Sequence, residues 1–393
     1  MILFTHDHKF IKYNDCFYSE GKFTNEVFYR YTPFDDKIII LCRCVDSYDH
    51  NTVNLNCINS EIFEFTPVRG IYFSNIFFRN FFYNLKIIIA NLKKSKCLIV
   101  RLPSFLGVFV LIINLFLKKK YFIEFVGDPE EALFTSQNKV SFFFRFFIYI
   151  FKKLNAYFVK NANGVIYVTE FVLQEKYPTY SFEGYASNVS INIKPFSFLA
   201  KDYANKFTKF IKIGLIGSFN NFYKGIDTAF LAVKILRKKN IKIHLHILGS
   251  GSLKDEYLKL ATELNIQDYI YFDGSLAGGV AVNNWLKSLD IYIQPSRTEG
   301  LPRALIEAMS VGLPCIATNV GGIPELLDQD DLVDKDCPVS LAEKIFEVVN
   351  SQQLRFQMGE RNYKRSLDYD AKKLNQTRSE FWKKAAEIIN ESD

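Results

Sequence analysis

Residues 295–326 read PSRTEGLPRALIEAMSVGLPCIATNVGGIPEL. Two carboxylates, Glu299 and Glu307, stand eight positions apart in this stretch. Glu299 precedes a Gly-Leu-Pro turn, and Glu307 lies in the helix which that turn opens. Pro302 suits a first helical position, where a missing N–H costs nothing. Residues 303–311 have helix-forming composition, and Gly312 with Pro314 ends the run. Cys315-Ile316-Ala317-Thr318 then reads as a short buried strand, and Gly321-Gly322 as a second tight loop. The pattern is a strand end, a loop and a helix N-terminus. Such an end offers backbone N–H groups to anions, and two acids beside it can hold sugar hydroxyls.

Outward from this stretch, strand-like and helix-like runs alternate. Residues 211–216 (IKIGLI), 243–248 (IHLHIL), 269–272 (YIYF) and 291–294 (IYIQ) predict strands, with helices over 225–239, 253–264 and 280–289. In the first half, 37–44 (KIIILCRC), 97–101 (CLIVR), 121–126 (YFIEFV) and 164–169 (GVIYVT) also predict strands. This alternation predicts an α/β chain with parallel sheets flanked by helices and sites at the carboxyl ends of strands. The length of 393 residues suits two domains, each able to bury a core. Residues 190–210, with Pro195, read as the boundary. Residues 370–389 predict a last helix with apolar Leu374, Phe381, Ala385, Ile388 and Ile389. No repeat of solenoid period is present.

The run IYIQPSRTEGLPRALIEAMSVGLPCIATNVGGIPELL resembles the E-x7-E signature of the family-4 retaining glycosyltransferases, of the polysaccharide-biosynthesis type. These have the GT-B fold, two Rossmann-like domains facing each other across a cleft. The resemblance is close over 211–333 and weak before it. It implies an acceptor-binding domain at 1–200, a nucleotide-sugar domain at 201–369, and a final helix, 370–393, returning to the first domain. It also implies that Glu307 holds ribose hydroxyls and that Glu299 faces the transferred sugar. The N–H groups of Gly300, Leu301 and Arg303 would meet sugar hydroxyls or phosphate. Lys224-Gly225 matches the pair whose lysine holds the donor phosphates. Gly217 matches a glycine commonly followed by Arg, and here Ser218 follows. Arg303 or a water-bridged Ser218 would replace that cation. Gly249-Ser250-Gly251 matches a glycine loop beside the nucleotide, and Asp273-Gly274 an element near the base.

In the first half the match is looser. Tyr18-Ser19-Glu20-Gly21-Lys22 is similar to the glycine loop after the family's first strand, with Gly21 near phosphate or acceptor. EFVGDP, residues 124–129, matches a strand end that often carries a His. The chain has Gly127-Asp128 instead, so that role does not transfer. Asp128 is then either an acceptor-binding or catalytic group, or a turn aspartate before Pro129.

Plainer readings stand beside these. Glu299 and Glu307 are also compatible with solvated acids on a helix end, Lys224 with an ordinary surface lysine, Arg303 with a helix-surface arginine, and a lone G-x-G with a tight turn. His6 and His8 form an H-x-H pair without a further ligand in sequence, and His244 and His246 alternate on one strand. Asp328-x-Asp330 reads as a polar loop. No metal or cofactor is therefore expected, and the nucleotide sugar enters as substrate. The seven Cys lack a C-x-x-C pair and read as reduced core residues.

Composition is globular, 49% hydrophobic and 23% charged. The N-terminus, MILFTHDHKF, lacks a signal-peptide pattern, and the apolar run 105–117 is too short to span a bilayer. The net charge of +7 comes without a nucleic-acid motif. The 39 Phe and 22 Tyr reflect either coding bias or a membrane-facing surface. FFFRFFIYIFKK, residues 142–153, with Lys118-Lys119-Lys120 upstream, is either a core helix or one resting on an anionic membrane. The expectation is a cytoplasmic hexosyltransferase, peripheral on the inner membrane face, acting without metal on a surface-polysaccharide or lipid-linked glycan acceptor. An epimerase on the same fold or a silent sugar-nucleotide-binding scaffold would carry much of the same sequence.

Overall fold

The apolar runs become the central strands of two sheets. The computed structural model describes residues 1–14, 16–19, 23–34, 37–46, 56–70, 76, 79–130, 142–189, 191–193 and 210–391. The chain divides into two units. The first comprises Met1–Glu130, Phe143–Ala186 and Asn375–Asp393, and the second is built on Ser187–Leu374. Most of the 190–210 stretch lies outside the described residues.

The first unit holds β1 (Ile2–Tyr13), β2 (Cys16–Ser19), β3 (Ile38–Asp46), β4 (Asn56–Ile58), β5 (Phe63–Val68), β6 (Cys97–Leu102), β7 (Lys120–Phe125), β8 (Gly164–Tyr167) and β9 (Phe182–Tyr185). The path β5-β3-β1-β6-β7-β8-β9 is parallel throughout. β2 and β4 extend it antiparallel from the far half of β1, which corrects the all-parallel expectation. Tyr18 and Ser19 thus lie on a strand and not in a loop, and Gly21 falls outside the described residues.

Sequence patterning does not reveal β1, because His6-Asp7-His8 breaks its apolar run. The register against β3 slips there, between Thr5 and Lys9. Asp7 uses the slip to cap the helix Phe105–Leu117, accepting from the N–H groups of Phe105 (2.5 Å) and Leu106 (3.0 Å). His6 Nδ1 lies 3.2 Å from the Arg101 carbonyl, and His8 Nε2 lies 2.8 Å from Ser19 Oγ. Burial, reinforced by Arg101, pushes the His6 pKa down to about 3.

The second unit holds β10 (Ile211–Ile216), β11 (Ile243–Leu248), β12 (Ile270–Gly274), β13 (Ile291–Gln294), β14 (Cys315–Thr318) and β15 (Leu332–Val333). Their order, β12-β11-β10-β13-β14-β15, is parallel. Ile213, Leu215, Leu245, Ile247, Ile291 and Ile293 are fully buried against Phe230, Val233 and Leu236 of the helix Ile226–Lys238. His244 and His246 point to the opposite face of β11. His244 stacks on Phe210 at 4.0 Å, and His246 Nδ1 sits 3.1 Å from Asp273.

The last helix, Ala371–Asn390, begins in the second unit and ends in the first. Its Trp382 is fully buried, edge-on to Tyr31 at 5.0 Å. Nearby, Glu124 of β7 sits 3.1 Å from Arg30 and 3.4 Å from Arg101. Burial alone would raise its pKa, but Arg30, Arg101 and Arg378 outweigh that and hold it below the usual carboxylate range. A lowered acid stabilises the fold above its unfolded pKa and loses that contribution as pH falls through the folded one. Glu124→Gln is therefore expected to cost about 3–5 kcal/mol near neutral pH, since it strands buried arginines. Denaturant titrations should show the cost shrinking in acid, where the wild-type carboxyl is protonated too.

Candidate active site

The strand order of the second unit reverses between β10 and β13. The chain starts in the centre, adds β11 and β12 on one side, then returns to lay β13, β14 and β15 on the other. Ligands of open α/β sheets bind outside the carboxyl ends of the strands at such a point. Lys224 follows β10, and Glu299 follows β13.

The two meet directly, with Lys224 Nζ 2.6 Å from Glu299 Oε1. Gln294 Nε2 at 2.8 Å and Ser296 Oγ at 2.7 Å donate to the same oxygen. Tyr292 OH in turn donates to Gln294 Oε1 at 2.7 Å, fixing the orientation of that amide. Among the described residues no donor reaches Glu299 Oε2, so it is the oxygen left for a ligand. Burial pulls the Lys224 pKa down, but Glu299 beside it wins, and the ammonium titrates above its usual range.

Local sequence explains the geometry. Phe222–Lys224 forms a 3-10 turn, with Asn221 Oδ1 accepting from Tyr223 N. Gly225 then takes φ +64, and a Cβ there would lie 1.9 Å from the Pro295 carbonyl. The lysine turn can press on the β13 loop only with glycine at that position. Arg297 staples the same contact. Its guanidinium pairs with Asp227 at 2.7 Å, with Asp336 at 2.6 Å and with the Phe222 carbonyl, while its N–H meets the Tyr223 carbonyl at 2.7 Å. Gly321, at φ +52, lies where a Cβ would strike the Glu299 carbonyl at 1.7 Å, so the loop after β14 backs the acid.

The helix Arg303–Ser310 begins one residue later than the sequence suggests. Pro302 is its N-cap, with φ −74 and ψ 108, because the chain is still extended there. Among the described residues no acceptor lies on the N–H groups of Gly300, Leu301 or Arg303. Arg303 is exposed. Glu307, one turn on, lines a pocket of about 380 Å³ with Val280, Asn283, Lys287 and Ser310. Burial raises its pKa above the usual range, and Arg303 only partly opposes this.

The remaining candidates lie as follows. Gly217 and Gly249 already donate their N–H groups, to Leu248 (3.0 Å) and Gly274 (2.6 Å). They lock the neighbouring strand-end loops together, and the Ser250 carbonyl and Leu253 N–H continue that lock onto Phe219 (2.9 and 2.8 Å). Gly251, at φ +154, leaves room for it, since a Cβ there would lie 2.4 Å from the Phe219 backbone. Ser218 Oγ accepts from Asn220 N at 3.3 Å. Asp273, expected near a base, receives Trp285 Nε1 at 2.6 Å as well as His246. Asp128 belongs to the first unit and is buried. Its carboxylate accepts from Glu130 N (2.8 Å) and Tyr177 OH (3.0 Å) and pairs with Lys176, which is the geometry of a turn aspartate. Sequence reading missed Arg297, Asp227, Gln294 and Ser296. The available signal was a glutamine closing an otherwise apolar strand.

Four likenesses bear on this geometry. The Glycosyl transferases group 1 family matches residues 201–365. Protein CapJ of Staphylococcus aureus is 32% identical over 99% of this chain and 97% of its own. The chain belongs to the group 1 glycosyltransferases. The Vi polysaccharide biosynthesis protein VipC/TviE of Salmonella typhi is 36% identical over 27% of this chain and 19% of its own. Among solved structures, Anabaena Alr3699/HepE in complex with UDP-glucose superposes with a TM-score of 0.63, at 15% identity, over 96% of this chain and 98% of its own. The glycosyltransferase therefore has the GT-B fold, two Rossmann-like α/β domains.

Because Glu307 titrates high, its ionised form works against the fold as pH rises past the ordinary carboxylate range. Glu307→Gln should raise the melting temperature at pH 8. The gain should narrow towards pH 5, where wild type is increasingly protonated. Scanning calorimetry at both pH values checks the sign.

Proposed function

We propose that this glycosyltransferase moves a sugar from a nucleoside-diphosphate donor, with retention, onto a surface-polysaccharide or lipid-linked glycan. The observation that carries the reading is the Lys224–Glu299 pair at the reversal point of the strand order. It sets a cation beside a carboxylate that keeps one oxygen open. The name of VipC/TviE and the UDP-glucose in HepE support the acceptor and donor classes.

The bond between the anomeric carbon and the diphosphate breaks, the electron pair leaves with phosphate, an acceptor hydroxyl oxygen bonds the same carbon, and the hydroxyl proton passes to the leaving diphosphate. Positive charge grows on the sugar and negative charge on the leaving group. Lys224 meets the latter, together with the open N–H groups before Ala304 and with Arg303. Glu299 Oε2 meets the transferred sugar. Glu307, beside the pocket, holds the ribose hydroxyls. On this reading no metal is required, and activity survives EDTA.

Steady-state kinetics separate the roles. Glu299→Ala and Lys224→Ala should slow turnover about ten- to a hundredfold, the worth of a charged hydrogen bond. Glu307→Ala should weaken donor binding more than turnover. Arg303→Lys should retain more activity than Arg303→Ala, because charge survives without the planar fork. Full activity of Glu299→Ala and Lys224→Ala variants, correctly folded, would remove the assignment. Loss in EDTA with rescue by a divalent ion would remove the metal-free mechanism.

A further inference from the structure

Three neighbouring helices of the first unit share a surface chemistry that sugar transfer does not use. Phe81–Lys94, Phe105–Leu117 and Phe142–Lys160 link β5 to β6, β6 to β7 and β7 to β8. Each link steps the same way along the sheet, and right-handed crossovers then place all three helices on one face. Ring contacts join them: Phe81 to Phe109 at 5.8 Å, and Phe105 to Phe147 at 5.7 Å and Phe151 at 4.5 Å.

The outer side of this layer is aromatic. Phe82 is 83% exposed, Phe116 85%, and Phe146 and Tyr149 are each 56% exposed. Its charge is one-sided. Residues 81–94, 105–120 and 142–160 contain ten Lys and Arg and not one Asp or Glu. The whole chain carries 49 basic against 42 acidic residues, so the lack of acids in these helices is a local segregation. Two of the ten cations are engaged within the protein, Lys152 with Glu130 and Lys120 with the Ile388 carbonyl. Some cations sit among the rings, with Lys153 Nζ 5.5 Å from the Tyr149 centroid and Arg69 3.6 Å from that of Tyr83. Among the described residues no helix is long and apolar enough to cross a membrane. Exposed rings interleaved with an excess of cations suit the boundary of an anionic bilayer. A second copy of the same face would set like charges together.

We propose that this three-helix face docks on the anionic leaflet of a lipid bilayer. The rings enter the headgroup boundary, and the lysines and arginines meet lipid phosphates. The docking face extends the aromatic, basic stretch 142–153 to all three helices. It belongs to the first unit, and the proposed donor site to the second.

The test is co-sedimentation of the full chain with phosphatidylcholine vesicles, with and without phosphatidylglycerol. Binding is expected only with phosphatidylglycerol, and should fall as salt screens the charges. The combined variant Phe82→Ser, Phe116→Ser, Phe146→Ser changes exposed positions only. It should keep its circular dichroism and donor binding and lose at least about tenfold in vesicle affinity. Lys93→Gln, Lys118→Gln and Lys153→Gln together should lose about a hundredfold, at about fivefold per cation. The proposal is overturned by no binding to phosphatidylglycerol vesicles, by equal binding to both compositions, or by a serine variant that binds like wild type. A dimer broken by the serine variant, without vesicle binding, would assign the face to self-association instead.

Discussion

A lysine and a glutamate meet at the ends of two adjacent parallel strands, and much of the second unit is arranged around that contact. Two charges leaving water lose several kcal/mol each, and the pair recovers this only if its remaining hydrogen-bonding capacity is met. Gln294 and Ser296 meet it at Glu299 Oε1, and Tyr292 orients Gln294. The contact also requires two loops to approach more closely than a side chain permits, which is why Gly225 and Gly321 stand where they do. Arg297 holds the loops at that distance through Asp227 and Asp336, and so acts on the pair from one layer back.

Buried acids elsewhere show what distinguishes this one. Glu124 is enclosed by arginines, and Asp128 by Lys176, Tyr177 and a backbone N–H. Both are closed, with their charge balanced by the fold itself. Glu299 is balanced on one oxygen only. The open side, together with N–H groups before Ala304 that have no acceptor among the described residues, leaves the β13 loop with unmet hydrogen-bonding capacity. At Glu307 burial raises the pKa, and Arg303 only partly opposes this, so the fold does not fully compensate its charge.

The second unit was largely legible because its strands are short, apolar and bounded by Gly or Pro. β10, β11, β13 and β14 begin and end where the residues suggest. The first unit was less so. β1 hides behind a His-Asp-His slip whose purpose, capping a helix some hundred positions away, is invisible locally. β2 folds straight back on β1, and β4 then pairs β2 antiparallel from far along the chain, a register that no periodicity encodes. In the site, Lys224, Glu299 and Glu307 stood out by pattern. Arg297 and Gln294 did not, because their roles exist only once β10 and β13 are neighbours. Asp128 drew attention for its place in the sequence, yet besides the local Glu130 N–H its partners, Lys176 and Tyr177, come from an element nearly fifty residues away.

The position after Gly217 bears on how the pair would work. On the proposed reading a diphosphate arrives with one fewer basic residue to receive it, since Ser218 stands there and its hydroxyl already accepts from Asn220. Lys224 is then the principal cation, and before the donor binds it is engaged by Glu299. That engagement is useful. It keeps the ammonium charged despite burial, and it holds the side chain near where phosphate must lie. When phosphate draws the lysine away, Glu299 still has Gln294 and Ser296, so the acid stays in place rather than following its partner. A single cation can then serve in turn as counter-ion to the resting carboxylate and to the leaving group. The two neutral donors are what allow the exchange without moving the carboxylate that faces the sugar.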